Sequence, residues 1–210
     1  MSASDVPKDQ EEERERPTLL NRIRTYVRIT GINEIARRYF VMNAFDGALT
    51  ILGIIMGAYA IGAIDPKVII GAGLGGSLAM AISGVSGAYM TESAERLREL
   101  ERLEKAMLKT LDNTVQSRAI RFASIYVAVV DGAAPLAVST IAIVPFILSQ
   151  IGLFEVGIAV ILSVGVNLLI LFLLGGFLGR ISKRNVIISG LKMAAAGIGT
   201  ALVALLLNLL

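Results

Sequence analysis

Two carboxylates stand inside long apolar stretches of the sequence, where an ionised side chain is energetically unfavourable. Asp46 lies in the first such stretch and Asp131 in the third, and each is followed by Gly-Ala. Ionisable residues within membrane-spanning helices mark ion or proton pathways by default. Asp46 and Asp131 are therefore the principal candidates for a functional site, with a structural hydrogen bond as the alternative interpretation.

Neither carboxylate has a lysine or arginine beside it in its apolar stretch. The candidate partner is Lys192, which belongs to the fifth stretch. Each Asp can therefore be protonated, bound to a metal ion, exposed to water, or paired with Lys192 across helices. Burial favours the protonated form and an arriving cation favours the ionised form. A carboxylate balanced between these forms can exchange a proton for a metal ion, as a cation/proton antiporter requires.

Three further side chains accompany the carboxylates. Met42 and Asp46 are four residues apart and share one helix face, with Asn43 between them in sequence. Met80 is a large, soft side chain in a second apolar stretch made mostly of small residues. A thioether beside a carboxylate suits Fe²⁺ better than Mg²⁺ or Ca²⁺, although packing is the alternative role for both methionines. The candidate pathway therefore comprises Asp46, Asp131, Met42, Asn43 and Met80.

The composition limits the chemistry. The chain of 210 residues is 55% hydrophobic and contains no Cys and no His. Disulfides, thiol nucleophiles and Ser-His catalytic units are therefore excluded. The remaining metal ligands suit Mg²⁺, Mn²⁺, Ca²⁺ or Fe²⁺. Because no nucleophile–base set or cofactor motif is present, we predict that the protein is not an enzyme. We also predict no permanently bound cofactor and no nucleic-acid partner.

Five apolar stretches are each long enough to cross a hydrocarbon core of about 30 Å as a helix. Asp65-Pro66 makes the turn between the first two. The sequence therefore predicts an all-α integral membrane protein with five transmembrane helices, embedded in the plasma membrane as a multi-pass protein. The stretches cover about residues 39–64, 68–90, 119–148, 154–178 and 186–210.

Lysine and arginine residues predict the orientation of these helices. Most of them fall before the first span, between spans two and three, or between spans four and five. Positively charged loops stay in the cytoplasm. The N-terminus is therefore expected inside and the C-terminus outside.

The first 38 residues are expected to divide into two parts. Residues 1–17 are polar and mixed in charge, as in a disordered tail. Residues 18–38 alternate arginines with apolar residues at helical spacing, which predicts an amphipathic helix at the membrane surface or, alternatively, a lead-in helix facing water. Residues 39–210 form the membrane domain.

Residues 91–118 form one large cytoplasmic segment between spans two and three. No Gly or Pro interrupts it before Gln116, so we expect it to be helical throughout and to continue the second span. Its glutamates are expected to face water, either as a solvated face or as a site that collects cations. They are Glu92, Glu95, Glu99, Glu101 and Glu104, and the apolar stripe beside them is Leu97, Leu100, Leu103, Met107, Leu108 and Leu111.

Small residues dominate the second span, several of them four apart, such as Ala72 with Gly76 and Ser83 with Gly87. Such faces allow helix backbones to approach closely. This helix is therefore expected either at the centre of the bundle or at the seam of a dimer.

Several motifs together resemble the vacuolar iron transporter family over about residues 40–210. They are Asp46-Gly47, the segment Ala81-Ile82-Ser83 with Gly87-Ala88-Tyr89-Met90 and Glu95, Gly132 with Pro135-Leu136, and the junction at 179–192. The resemblance implies five membrane helices, an N-in/C-out topology and a homodimer. It also implies export of Fe²⁺ or Mn²⁺ from the cytoplasm in exchange for protons, with Asp46 as the membrane ligand and a Glu-rich cytoplasmic domain.

The chain departs from that family pattern at several positions. A glutamate early in span two is replaced by Gly75-Gly76-Ser77, and a methionine after Ala-Ile-Ser is replaced by Gly84. The cytoplasmic insert is short, so that Glu101 and Glu104 are the expected matches to its glutamates. Asp131 is an addition.

These observations predict a homodimeric divalent-cation transporter for Fe²⁺ or Mn²⁺, coupled to protons. The metal ligands would be Asp46, Asp131, Glu92, Glu95, Glu99, Glu101 and Glu104. The alternative is a membrane interaction module that does not transport and that binds a partner through the 91–118 helix.

Overall fold

The computed structural model describes residues 19–111 and 114–206, and the six elements in this part of the chain are all helices. Five of them are long and apolar enough to cross a membrane, which confirms the predicted all-α, five-span fold. The predicted tail at residues 1–17 and the last four residues of the fifth stretch lie outside the described residues. The helices are α1 (Leu19–Thr30), α2 (Ile32–Ala60), α3 (Pro66–Met107), α4 (Val115–Gln150), α5 (Val156–Ile181) and α6 (Val186–Leu206).

The N-terminal helix is shorter than residues 18–38. It ends at Thr30 because Gly31 adopts a left-handed conformation with φ of 58°, and α2 then begins at Ile32. Tyr26 of α1 packs against Phe122 of α4, with ring centroids 5.7 Å apart. The first spanning helix therefore starts well before residue 39.

The second span continues beyond the membrane as predicted, because α3 is a single helix of 42 residues. Asp65 caps its start by accepting a hydrogen bond from the Lys67 N–H. The segment 91–118 is nevertheless not helical throughout. Leu108 adopts a left-handed conformation with φ of 50° and ends α3, and Thr114 caps the start of α4. The helix ends at Leu108 without a Gly or Pro, so the usual sequence signal for a helix end is missing here.

The central helix of the bundle is α4, not α3. A larger share of the apolar segment is buried in α4 than in any other described span. The expected position of the second span at the bundle centre is therefore not observed within one chain. Much of the small-residue face of α3 is open instead, and a Cβ atom at Gly71, Gly75 or Gly87 would meet nothing within 4 Å.

Glycines set the crossings of α4 with its neighbours. A Cβ atom at Gly47 of α2 would lie 2.8 Å from the Pro135 Cα atom of α4. A Cβ atom at Gly132 of α4 would lie 2.6 Å from the Ala81 carbonyl oxygen of α3. The glycine after each Asp is therefore the residue that lets two backbones meet, and it brings the preceding carboxylate to a helix crossing.

Helices α2, α4 and α6 begin at the end of the bundle where α5 ends. This end carries Arg37, Arg38, Arg180 and Arg184, and we call it the basic end. Helices α5 and α6 form a hairpin there, in which a Cβ atom at Gly179 would lie 2.7 Å from the Ser189 side chain.

We expect Gly132→Ala to destabilise the protein, because the added methyl group would press on a backbone carbonyl that has little freedom to move. Overpacking of this kind costs about 1–3 kcal/mol. Gly165→Ala is the matched control, since its Cβ atom would meet nothing within 4 Å and should gain up to about 1 kcal/mol of helix propensity. Thermal unfolding of the two variants in the same detergent measures the difference. Equal melting temperatures would contradict the close crossing of α3 and α4.

Candidate cation site at the helix crossings

Asp131 lies inside the bundle, where α2, α3 and α4 meet. Only 3% of its surface is exposed. The Asn43 side-chain amide of α2 donates a hydrogen bond to Asp131 Oδ1. A buried carboxylate without a donor would be strongly destabilising, so Asn43 is the residue that makes this position tolerable.

The third helix leaves room for the carboxylate through a glycine. A Cβ atom at Gly84 of α3 would lie 2.8 Å from Asp131 Oδ2, which is too close for an unstrained contact. Asp131 therefore occupies the space that a side chain at position 84 would fill. Gly84 stands where the family pattern has a methionine. In the structure, its missing side chain leaves the space that Asp131 occupies.

A backbone acceptor lies at the same point. Pro135 sits inside α4 and has no N–H group to donate to the Asp131 carbonyl one turn earlier. Asp131 therefore offers two kinds of oxygen: its side-chain carboxylate, and a backbone carbonyl that has no N–H donor at position 135. Together with the amide oxygen of Asn43, these are the oxygen ligands that hard divalent cations prefer.

Asp46 lies one turn from Asn43 on α2, close enough to interact electrostatically with Asp131. Unlike Asp131, it is exposed on the outer surface of the single chain. Met42 lies one turn before it and is 59% exposed. The two predicted membrane carboxylates therefore interact electrostatically, although one lies inside the bundle and the other is exposed on its surface.

The remaining predicted pathway residue, Met80, is half-buried one turn before Gly84 on α3. This spacing places it on the same helix face as the glycine that admits Asp131.

The predicted pairing of a carboxylate with Lys192 is not observed. Within the described residues Lys192 pairs with no carboxylate, whereas Arg96 Nε and Glu92 Oε2 form an ion pair at 3.2 Å. Asp131 is instead hydrogen-bonded by a neutral amide.

The glutamates of the 91–118 segment do not all face water as expected. Glu92 is 8% exposed, because it packs on the inner face of α3, where Arg96 pairs with it and the Tyr39 side chain interacts with it electrostatically. Glu104 Oε1 accepts a hydrogen bond from the Leu111 N–H at 2.7 Å and so fixes the turn after α3. Glu95, Glu99 and Glu101 are exposed.

These glutamates are not gathered into one site within a single chain. In the described part of the protein, no three carboxylates are close enough together to hold a metal ion. Glu92 and Glu104 are engaged in structural contacts, with Arg96 and with the Leu111 N–H respectively, and are therefore not available to complete such a site.

Five helices long and apolar enough to cross a membrane define a multi-pass membrane protein. The chain matches the model of the VIT family over residues 37–129. It is 38% identical over 185 residues to an uncharacterized protein from Methanocaldococcus jannaschii, which covers 86% of this chain and 93% of that protein. No solved structure matches the chain significantly. The chain belongs to the VIT family, the vacuolar iron transporters that its motifs resemble, and this membership indicates transport of metal ions across a membrane.

We expect Asn43→Leu to destabilise the protein by about 1–3 kcal/mol, because it leaves the buried Asp131 carboxylate without its donor. The double variant Asn43→Leu with Asp131→Leu should recover much of this loss, since replacing both partners by apolar groups of similar shape is nearly neutral. A double-mutant cycle of unfolding temperatures in detergent measures the coupling. Additive effects of the two single substitutions would contradict the hydrogen bond.

Proposed function

We propose that the protein is a proton-coupled divalent-cation transporter that exports Fe²⁺ or Mn²⁺ from the cytoplasm. The observation that carries this proposal is the Asp131 carboxylate, which is buried among three spanning helices and interacts electrostatically with a second carboxylate, Asp46. Intramembrane carboxylates at a helix crossing are typical of ion pathways.

The side chains around Asp131 favour a hard or borderline cation. Asp131, Asn43 and Asp46 supply oxygen ligands. Met80 supplies a thioether one turn from Gly84 on α3, whereas Met42 lines a cavity with residues of α5 and α6. Mn²⁺ and Fe²⁺ accept both kinds of ligand, whereas Mg²⁺ and Ca²⁺ prefer oxygen alone. This combination supports Fe²⁺ or Mn²⁺ as the cargo.

Proton coupling would follow from the electrostatic interaction between the two carboxylates. Two negative charges repel each other, so a proton on one of them relieves the repulsion while the site holds no cation. A divalent cation compensates both charges and displaces that proton. Metal and proton would therefore alternate at Asp46 and Asp131, as exchange transport requires.

A homodimer would complete the site. Asp46 is exposed in the single chain, although a carboxylate facing lipid is strongly unfavourable. The surrounding faces are open as well, because Cβ atoms at Gly53 and Gly57 of α2 would meet nothing within 4 Å. We propose that a second copy covers these faces and encloses the pathway beside Asp46.

The basic end would face the cytoplasm of a cell whose plasma membrane holds the protein, in accordance with the positive-inside rule. The exposed Glu95, Glu99 and Glu101 on the α3 extension would then attract cations on the side from which export begins. Glu92 and Glu104 would support the extension rather than bind metal.

We expect Asp46→Asn and Asp131→Asn each to lower Mn²⁺ and Fe²⁺ flux into proteoliposomes by about tenfold or more, because each removes a charge that binds the ion. An internal pH dye should report opposing proton movement for wild type. The matched control is Asp65→Asn at the other end of the bundle, because Asn caps a helix about as well as Asp does.

Two outcomes would contradict the proposal. Asp46→Asn could transport either metal as fast as wild type, or wild type could show no flux of either metal under a proton gradient.

A second candidate function remains for the α3 extension. Leu97, Leu103, Met107 and Leu108 are all more than 40% exposed there and could bind a partner helix. Leu97→Lys discriminates between the two functions, because it would abolish partner binding and leave metal flux unchanged. Leu100 is unsuitable for this test, since it is buried against Leu111 and Ile120.

A further inference from the structure

Two adjoining cavities open at the basic end of the bundle, and neither is lined by Asp131 or Asp46. The larger, of about 740 Å³, lies between the end of α5 and the beginning of α6. The smaller, of about 350 Å³, runs along the beginning of α2. They share Phe45, Leu178 and Met193 as an apolar wall, so that together they form one groove.

The groove is basic at its rim and apolar at its base. Arg184 and Lys192 line the larger cavity, and Arg37 and Arg38 line the smaller one. Glu34 is the one carboxylate among the described residues that line the groove. None of the four cations is paired with a carboxylate in the described part of the chain.

Lys192 is the most informative of these cations. It lies six residues after the first residue of α6, which places its backbone about 9 Å along that helix. A lysine at this depth in a spanning helix usually has a negative partner or extends toward the headgroup level. Lys192 has no carboxylate partner, and its side chain lines a groove.

The N–H groups at the beginning of α6 are not the source of the positive charge in the groove. Asn185 Oδ1 accepts hydrogen bonds from the Ile187 and Ile188 N–H groups at 2.9 and 3.3 Å. The helix start is therefore capped by its own chain. The uncompensated positive charge in the groove comes from side chains.

We propose that this groove binds an anionic phospholipid. Its phosphate lies against Lys192 and Arg184, and the first part of an acyl chain lies along Phe45, Leu178 and Met193. Basic pockets between spanning helices are suited to acidic headgroups, and the apolar wall below the cations matches the acyl chain attached to such a headgroup. The proposal does not depend on which ion the protein carries.

The apolar wall distinguishes a lipid from a free anion. A soluble phosphate would be held by the cations alone and would leave Phe45, Leu178 and Met193 unused. A lipid satisfies both parts of the groove and arrives from the bilayer that surrounds it.

The test measures thermal stabilisation of the full-length protein in neutral detergent by added phosphatidylglycerol. Phosphatidylcholine with the same acyl chains and inorganic phosphate serve as comparison probes. We expect phosphatidylglycerol to raise the melting temperature more than either. Its apparent affinity should fall about fivefold in Lys192→Gln and in Arg184→Gln, the effect of one positive charge near a headgroup.

Two variants control for folding and for general charge. Lys192→Arg keeps the charge and should retain wild-type affinity. Lys67→Gln removes an exposed lysine at the other end of the bundle and should also bind like wild type. The proposal is overturned if Lys192→Gln binds phosphatidylglycerol like wild type, or if Lys67→Gln loses as much affinity. It is also overturned if phosphatidylcholine stabilises equally. Equal protection by inorganic phosphate would identify a free-anion site instead.

Discussion

The structure depends on the burial of one carboxylate among apolar helices. Asp131 is tolerable where it lies because Asn43 donates a hydrogen bond from one neighbouring helix and Gly84 leaves space on another. Both residues are needed. Asn43 could not bond the carboxylate if a side chain at position 84 filled its space, and the space beside Gly84 alone supplies no hydrogen-bond donor. Three helices are thereby held in one register around a group that can bind a cation or a proton.

The repeated Asp-Gly pair is explained by the packing of the helices. Gly47 meets Pro135, and Gly132 meets Ala81, so each glycine permits a close crossing one residue after a carboxylate. The two carboxylates differ in burial, because Asp131 lies inside the bundle and Asp46 lies on its surface. One chain therefore supplies one buried carboxylate and one exposed carboxylate, which a second copy would enclose under the dimer proposed above.

Much of the fold could be predicted from the sequence, because apolar length and the distribution of charge act locally. The five spans, the turn at Asp65 and the continuation of the second span all follow from such patterns. The contact between Gly84 and Asp131 could not be predicted, since it depends on the register of α3 against α4. The burial of Glu92 likewise depends on Tyr39, which is distant in sequence. The helix end at Leu108 is local, but no Gly or Pro marks it, and the hydrogen bond from the Leu111 N–H to Glu104 appears only in the structure.

If the Asp131 site binds a divalent cation, the purified protein should bind Mn²⁺, and this can be measured without relying on transport. Electron paramagnetic resonance of the purified full-length protein counts bound Mn²⁺ in wild type, Asp131→Asn and Asp65→Asn. We expect a bound Mn²⁺ that is lost in Asp131→Asn and retained in Asp65→Asn. Equal Mn²⁺ binding by wild type and Asp131→Asn would contradict this expectation and leave Asp131 with a structural hydrogen bond alone.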